Sequence, residues 1–143
     1  MSDHAPTRAY GFGISVPLPY RETVERTRAA LKQQGFGVLT EIDVKQTLKD
    51  KLDVEFRPYV ILGACNPPLA HRALTADLGI GLLLPCNVVV YDNGDETSTV
   101  EAMDPVAALG LVGDNPAIAE VARQAQARLR RAVDAIGPTA TDG

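Results

Sequence analysis

The segment around Asn93-Gly94 constrains the fold of this chain most. An Asn-Gly pair is typical of the tight turn of a β-hairpin, and alternating apolar residues flank it in residues 86–91 and 97–103. Before this hairpin, strand-like and helix-like patterns follow one another along the chain. A chain that alternates strands with helices and then adds a hairpin is not expected to form a purely parallel, doubly wound sheet.

The full pattern predicts the element order β-α-β-α-β-α-β-β-α-α. Residues 8–16 and 36–42 alternate as strands, and the continuous apolar run 59–64 is typical of a central strand covered on both faces. We expect an α+β or α/β fold with a mixed β-sheet of about five strands and helices packed mainly on one face. The last helix carries one apolar stripe, formed by Ile118, Ala122, Ala125, Leu129, Val133 and Ile136.

Composition indicates a single domain and excludes several classes of partner. The chain has 143 residues, which is an ordinary domain size, and we place the domain at 8–137 between flexible ends at 1–7 and 138–143. A net charge of −4 argues against nucleic acid and anionic membranes as partners. The start lacks the pattern of a signal peptide and no apolar run is long enough for a membrane helix, so we expect a cytoplasmic protein.

The segment 61–70 carries the most unusual chemistry. Cys65 lies between the end of a strand and a helix that Asn66 caps, and unpaired N–H groups at such a position favour a thiolate with a lowered pKa. The alternative is a small buried cysteine in a tight turn. Cys86 begins a later strand, where it is either a residue of the hydrophobic core or the second member of a redox pair with Cys65. If the two strands run antiparallel, the two sulfurs can lie close together.

His71 and Arg72 lie on the helix that follows Asn66. With Cys65 and Cys86, His71 would give a three-ligand site for a soft metal, but the short ligand spacings that prepare such sites are missing. We therefore predict no metal and no cofactor, and a solvent-facing histidine. Arg72 is a candidate for holding an anion, although a surface salt bridge to Asp77 explains it as well.

Glu101 and Asp104 are the carboxylates nearest to a strand end and a helix start. A general acid–base pair would need a nucleophile or a sugar that the sequence does not indicate, so we interpret Asp104 as a helix cap. The alternation around Glu101 predicts a solvent-facing side chain or a dimer contact. No nucleophile elbow, phosphate loop or zinc-protease motif is present, so we expect binding rather than catalysis.

Two blocks of sequence resemble a known family. They contain Cys65-Asn66-Pro67 and Leu84-Pro85-Cys86, and with flanking segments the likeness extends over about residues 8–136. On these residues the chain resembles the prokaryotic family called domain of unknown function 302. The resemblance implies a small α/β domain, usually a homodimer, with no established activity and no catalytic residues to carry over.

We therefore expect a homodimeric module that binds a small molecule near Cys65, Asn66, His71, Arg72 and Cys86. The alternatives are a thiol protein that handles metal or sulfur through its two cysteines, and a purely structural partner domain. The apolar stretch 79–85 follows a helix end and precedes a strand, so it is a connection of the kind that runs over the surface. Either the last helix or a second subunit would have to cover it.

Overall fold

The computed structural model describes residues 8–137, so the predicted flexible ends lie outside the described residues. Two short 3₁₀ helices, Leu78–Leu83 and Gly110–Val112, join the elements that the sequence pattern predicts. The predicted order of strands and helices is otherwise confirmed. The elements are β1 (Gly11–Val16), α1 (Tyr20–Gln33), β2 (Gly37–Asp43), α2 (Val44–Leu52), β3 (Tyr59–Cys65), α3 (Pro67–Ala76), β4 (Cys86–Asp92), β5 (Ser98–Met103), α4 (Pro105–Leu109) and α5 (Pro116–Ile136).

The five strands form one sheet in the order β1-β5-β4-β3-β2. The expected strand number is confirmed, but each described pairing between these strands is antiparallel, so strand directions are not mixed. The reason lies in the connections. After β1, helix α1 carries the chain to the opposite edge of the sheet, where β2 begins, and each later strand is laid down beside the one before it. No helix joins two neighbouring parallel strands in residues 8–137.

One face of the sheet packs against the long helices α1 and α5, and the other face, here called the uncovered face, does not. Alternate residues of the inner strands, such as Val60, Leu62, Val88 and Val90, enter a core shared with α1 and α5. The side chains between them lie on the second face, where Tyr59 and Ile61 are half-buried. Strand β3 is thus covered by helices on one face only, and the expectation of cover on both faces is wrong. The prediction that helices pack mainly on one face is confirmed.

Helix starts follow the predicted capping residues. Asn66 and Asp104 cap α3 and α4 as predicted, Asn115 caps α5 in the same way, and the side chain of Asp43 accepts a hydrogen bond from the Gln46 N–H at the start of α2. All six residues of the predicted apolar stripe of α5 are buried. The described helices include none that is long and apolar enough to span a bilayer.

The apolar stretch before β4 forms the 3₁₀ helix Leu78–Leu83. Ile80 is buried at 1% exposure, and Leu83 and Leu84 pack against the same cluster beneath α3 and α5. The chain's own last helix therefore covers one side of this segment. Leu78 and Leu82 point away from it and are 87% and 91% exposed. Within the stretch 79–85, the expected surface exposure is therefore confirmed for Gly79, Gly81 and Leu82, but Ile80 is buried and the last three residues are half-buried.

Candidate functional site

An apolar cavity of about 270 Å³ lies on the helical side of the sheet, between α3, α5 and the segment before β4. It reaches the surface beside Leu39, which is 66% exposed. Three of the five predicted site residues line it, namely Cys65, Asn66 and Cys86. The other lining residues are Phe36, Leu39, Ala64, Leu69, Ala70, Ala73, Leu74, Gly81, Leu84, Pro85, Leu109, Val121 and Ala125.

The antiparallel pairing of β3 with β4 brings the two cysteines together. Ala64 lies opposite Cys86, so Cys65 occupies the next position along the neighbouring strand. Both thiols are free, with Cys65 half-buried and Cys86 buried. The sequence left the relative direction of these two strands open, and the antiparallel direction is the one that allows the two sulfurs to lie close together. Gly63 helps to shape this end of the sheet, because a methyl group there would lie 2.9 Å from the ring of Pro85.

Burial governs the acidity of both thiols. It raises the pKa of Cys65, and it raises the pKa of Cys86 to about 11, with a smaller contribution from the nearby Cys65. The expectation that the start of α3 lowers the pKa of Cys65 is therefore wrong. The cause is the desolvation of a half-buried sulfur among apolar side chains, which disfavours the thiolate.

Asn66 is the polar residue of the cavity, and it is 7% exposed. Its side-chain oxygen accepts a hydrogen bond of 3.2 Å from the Leu69 N–H, which fixes the first turn of α3. Its amide nitrogen lies next to Gly35, where a side chain would crowd it at 3.0 Å. The cap predicted from the sequence therefore also fixes the position of the one buried amide in an apolar cavity.

His71 and Arg72 do not line the cavity. Both are exposed on the outer side of α3. Arg72 donates to Gln124 at 3.2 Å, and Asp77 accepts from the Gly79 N–H, so the expected bridge between Arg72 and Asp77 is absent from the described residues. Within residues 8–137, no three His, Cys, Asp or Glu side chains come together in a way that could hold a metal ion.

The two carboxylates considered for catalysis have separate structural roles. Asp104 caps α4 by accepting from Val106, as predicted, and it also accepts from Gln126. Glu101 is 8% exposed, so the expectation of a solvent-facing side chain is wrong. It forms a two-pronged ion pair with Arg8 and accepts a hydrogen bond of 2.6 Å from the Tyr91 hydroxyl.

Comparison with known proteins identifies the family. Residues 12–136 match the model of the family described as domain of unknown function DUF302. The chain belongs to this family. It is also similar to the crystal structure of an uncharacterized conserved DUF302 protein from Bacillus stearothermophilus, with 35% sequence identity and a TM-score of 0.82 over 90% of this chain and 99% of that one. No curated protein matches the sequence.

The DUF302 fold has a second polar centre that the sequence pattern did not reveal. It lies on the face of the sheet away from the helices, where Arg8, Glu101 and Tyr91 meet beside Tyr59. Arg8 and Glu101 are 93 positions apart in the chain, and their contact depends on the pairing of β1 with β5. The one available signal was Gly13, whose missing side chain leaves room for Glu101 on the next strand.

Proposed function

We propose that this DUF302 domain binds a small, largely apolar molecule in the cavity beside Cys65, Asn66 and Cys86. The observation that supports this function is the lining of the cavity, in which two thiols and one amide are the polar groups among aliphatic and aromatic side chains. Small-molecule sites in proteins commonly have this composition, with a few polar groups that orient an apolar ligand.

The volume of the cavity and the pKa values of its two thiols narrow the class of ligand. Its volume of about 270 Å³ exceeds the roughly 150 Å³ in which an engineered apolar cavity holds benzene. No ionised group of the described residues lines it at neutral pH, since its lining includes no Asp, Glu, Lys, Arg or His and the pKa values of both thiols are raised. An uncharged molecule of one or two rings, or a short aliphatic chain, suits these dimensions.

Binding of the uncharged dye N-phenyl-1-naphthylamine, whose fluorescence rises in apolar surroundings, tests this proposal. Ala70 lines the cavity and is half-buried. The larger side chain of Ala70→Leu therefore fills cavity space without overpacking a fully buried position. The matched control is Ala76→Leu, which makes the same change on the exposed end of α3 outside the cavity. We expect saturable binding that Ala70→Leu weakens at least about ten-fold, whereas Ala76→Leu leaves it unchanged.

Two results would contradict the proposal. One is the absence of saturable dye binding by the folded protein. The other is equal binding by the Ala70→Leu and Ala76→Leu variants, which would place the dye elsewhere. Circular dichroism of each variant shows whether it is folded before binding is compared.

We further propose that the domain acts as a homodimer that uses Leu78 and Leu82. These two exposed leucines lie on the same 3₁₀ helix whose Gly81 lines the cavity. A second subunit on this surface would bury both leucines and cover the edge of the cavity. The family resemblance points in the same direction.

Light scattering of Leu82→Asp tests the dimer. We expect the unmodified chain to be dimeric at tens of micromolar, roughly the scale at which a stable interface persists, and the variant to be monomeric with an unchanged circular dichroism spectrum. Leu83→Asp is less informative, because Leu83 packs inside its own chain and its loss would weaken the fold. A monomeric unmodified chain, or a dimer unaffected by Leu82→Asp, would overturn this part of the proposal.

Thiol chemistry is the second candidate function, and the neighbouring positions of Cys65 and Cys86 favour it. Two adjacent thiols at one cavity suit a soft metal ion or a sulfur species. A native mass spectrum of protein purified without chelators tests this function. Added mass that Cys65→Ser and Cys86→Ser each remove would support it, and an unmodified mass would oppose it.

A further inference from the structure

A second and larger cleft lies on the uncovered face of the sheet, opposite α1 and α5. Its volume is about 880 Å³, which is within the usual range for small-molecule sites. It is lined by strand residues of β3, β4 and β5, by the chain before β1, and by α4 with the 3₁₀ helix after it. None of the residues that line the Cys65 cavity lines this cleft.

Tyrosine side chains form the aromatic part of this cleft. Three of the four tyrosines of the chain line it, namely Tyr10, Tyr59 and Tyr91. The rings of Tyr59 and Tyr91 stack with their centroids 5.4 Å apart and their planes 9° from parallel. Tyr10 is 64% exposed. Exposed and stacked aromatic rings of this kind suit a planar ligand, because stacking adds to the gain from burying apolar area.

The charges of the cleft cancel one another. Arg8 and Glu101 form an ion pair, and the hydrogen bonds from Arg8 and Tyr91 occupy both carboxylate oxygens of Glu101. Among residues 8–137, no other charged residue lines the cleft. An anionic or cationic ligand would therefore have to compete with an existing pair, so the cleft favours an uncharged molecule.

Asn87 supplies the hydrogen-bonding group that remains available. It is exposed, it lies on the inner strand β4 at the cleft, and its side chain has no hydrogen bond to any described residue. Its amide offers a donor and an acceptor side by side. Asparagine pairs in this two-pronged way with the N6 and N7 atoms of adenine.

We propose that this cleft binds an uncharged purine base, stacked against the tyrosines and recognised by Asn87 through its adjacent donor and acceptor. Three observations support this proposal: an aromatic wall, a neutralised charge pair that shares Tyr91 with it, and an unused amide lie around one cleft. A nucleoside suits this site better than a nucleic acid strand, because the chain carries a net charge of −4 and Arg8 is already paired.

Titration of ¹⁵N-labelled protein with adenosine, followed by NMR, tests the proposal. We expect saturable shifts of the Asn87 side-chain amide and of the Tyr91 backbone amide. Asn87→Ala removes an exposed side chain that makes no hydrogen bond within the described chain, so it should fold normally and weaken adenosine binding about ten-fold. Gln33→Ala, an exposed change at the end of α1 outside the cleft, is the control and should leave binding unchanged.

A ligand variant identifies the contact itself. The nucleoside 7-deazaadenosine keeps the stacking surface but lacks the N7 acceptor, so it should bind the unmodified protein as weakly as adenosine binds the Asn87→Ala protein. The proposal is overturned if adenosine causes no shifts at the cleft up to its solubility limit. It is also overturned if adenosine and 7-deazaadenosine bind equally, or if Asn87→Ala binds adenosine with undiminished affinity.

Discussion

The two faces of the sheet carry opposite kinds of site. On the helical face, the described part of the chain places no charged residue in the cavity beside Cys65, and burial raises the pKa of both thiols. On the uncovered face, the cleft holds an ion pair, three tyrosines and an exposed amide. Strand β4 contributes to both sites, with Cys86 at the cavity and Asn87, Val89 and Tyr91 at the cleft, because side chains alternate between the faces of a strand.

This difference shows that one strand can contribute to two chemically different sites when different parts of the chain pack on its two faces. Helices exclude water from one face, so apolar residues and neutral thiols accumulate there. The other face lacks the long helices α1 and α5, and the ion pair of Glu101 with Arg8 keeps a buried carboxylate charged there. The predictions that follow alter one face at a time.

The largest effect is expected on the helical face. Leu129 of α5 is fully buried against the sheet, so Leu129→Ala should lower the free energy of unfolding by about 2–5 kcal/mol. Leu111 is 79% exposed at the edge of the uncovered cleft, and Leu111→Ala should change stability by less than about 0.5 kcal/mol. Urea unfolding measures both. Similar losses in the two variants would mean that the uncovered face is as well packed as the helical one.

The cysteines should differ in reactivity although they share a cavity. Cys65 is half-buried, whereas Cys86 is buried and has a pKa of about 11. At pH 8 iodoacetamide should modify Cys65 at least about ten-fold faster than Cys86, as resolved by mass spectrometry of the digested protein. Faster modification of Cys86 in the folded protein would contradict the cavity as described.

The Cys86 thiol should also make the free energy of unfolding depend on pH in the alkaline range. Because the pKa of Cys86 is raised in the folded state above its ordinary value of 9.0, the unfolded chain loses its proton first. The stabilising contribution of Cys86 is therefore complete below pH 9 and is lost as pH rises towards 11. Cys86→Ala should reduce this alkaline loss of unfolding free energy, and an unchanged profile would exclude Cys86 as its source.

The ion pair on the uncovered face should make the free energy of unfolding depend on pH in the acidic range. Burial alone would raise the pKa of Glu101, but the hydrogen bonds from Arg8 and Tyr91 outweigh it and lower the pKa below its ordinary value of 4.5. The contribution of Glu101 to stability is thus present above pH 4.5 and is lost as pH falls through the lowered pKa. The difference in unfolding free energy between the unmodified chain and Arg8→Met should shrink over this range. A constant difference would mean that Arg8 acts through packing alone.

The sequence predicted local structure well because the signals for it are local. The caps at Asn66 and Asp104 and the apolar stripe of α5 need only neighbouring residues to act, and all are observed. Strand direction depends on which edge of the sheet each helix returns to, and no local pattern encodes that choice. This is why the antiparallel sheet was expected to be mixed.

The two sites likewise differ in how far local sequence signals could predict them. Cys65 and Asn66 were identified because a strand end and a helix cap meet there in consecutive residues. Their closeness to Cys86 depended on the direction of β4, which the sequence left open. The cluster of Arg8 with Glu101 was missed because Arg8 precedes the first strand and reaches a carboxylate on the last strand.

The measurement that tests the contrast between the two faces most directly compares Val88→Ala with Val89→Ala. These neighbours on β4 are chemically identical, but Val88 is fully buried beneath the helices and Val89 is half-buried on the uncovered face. We expect Val88→Ala to lower the free energy of unfolding by about 2 kcal/mol and Val89→Ala by less than about 1 kcal/mol, in urea titrations at a single protein concentration. Equal losses, or a larger loss for Val89→Ala, would contradict a sheet that is packed by helices on one face only.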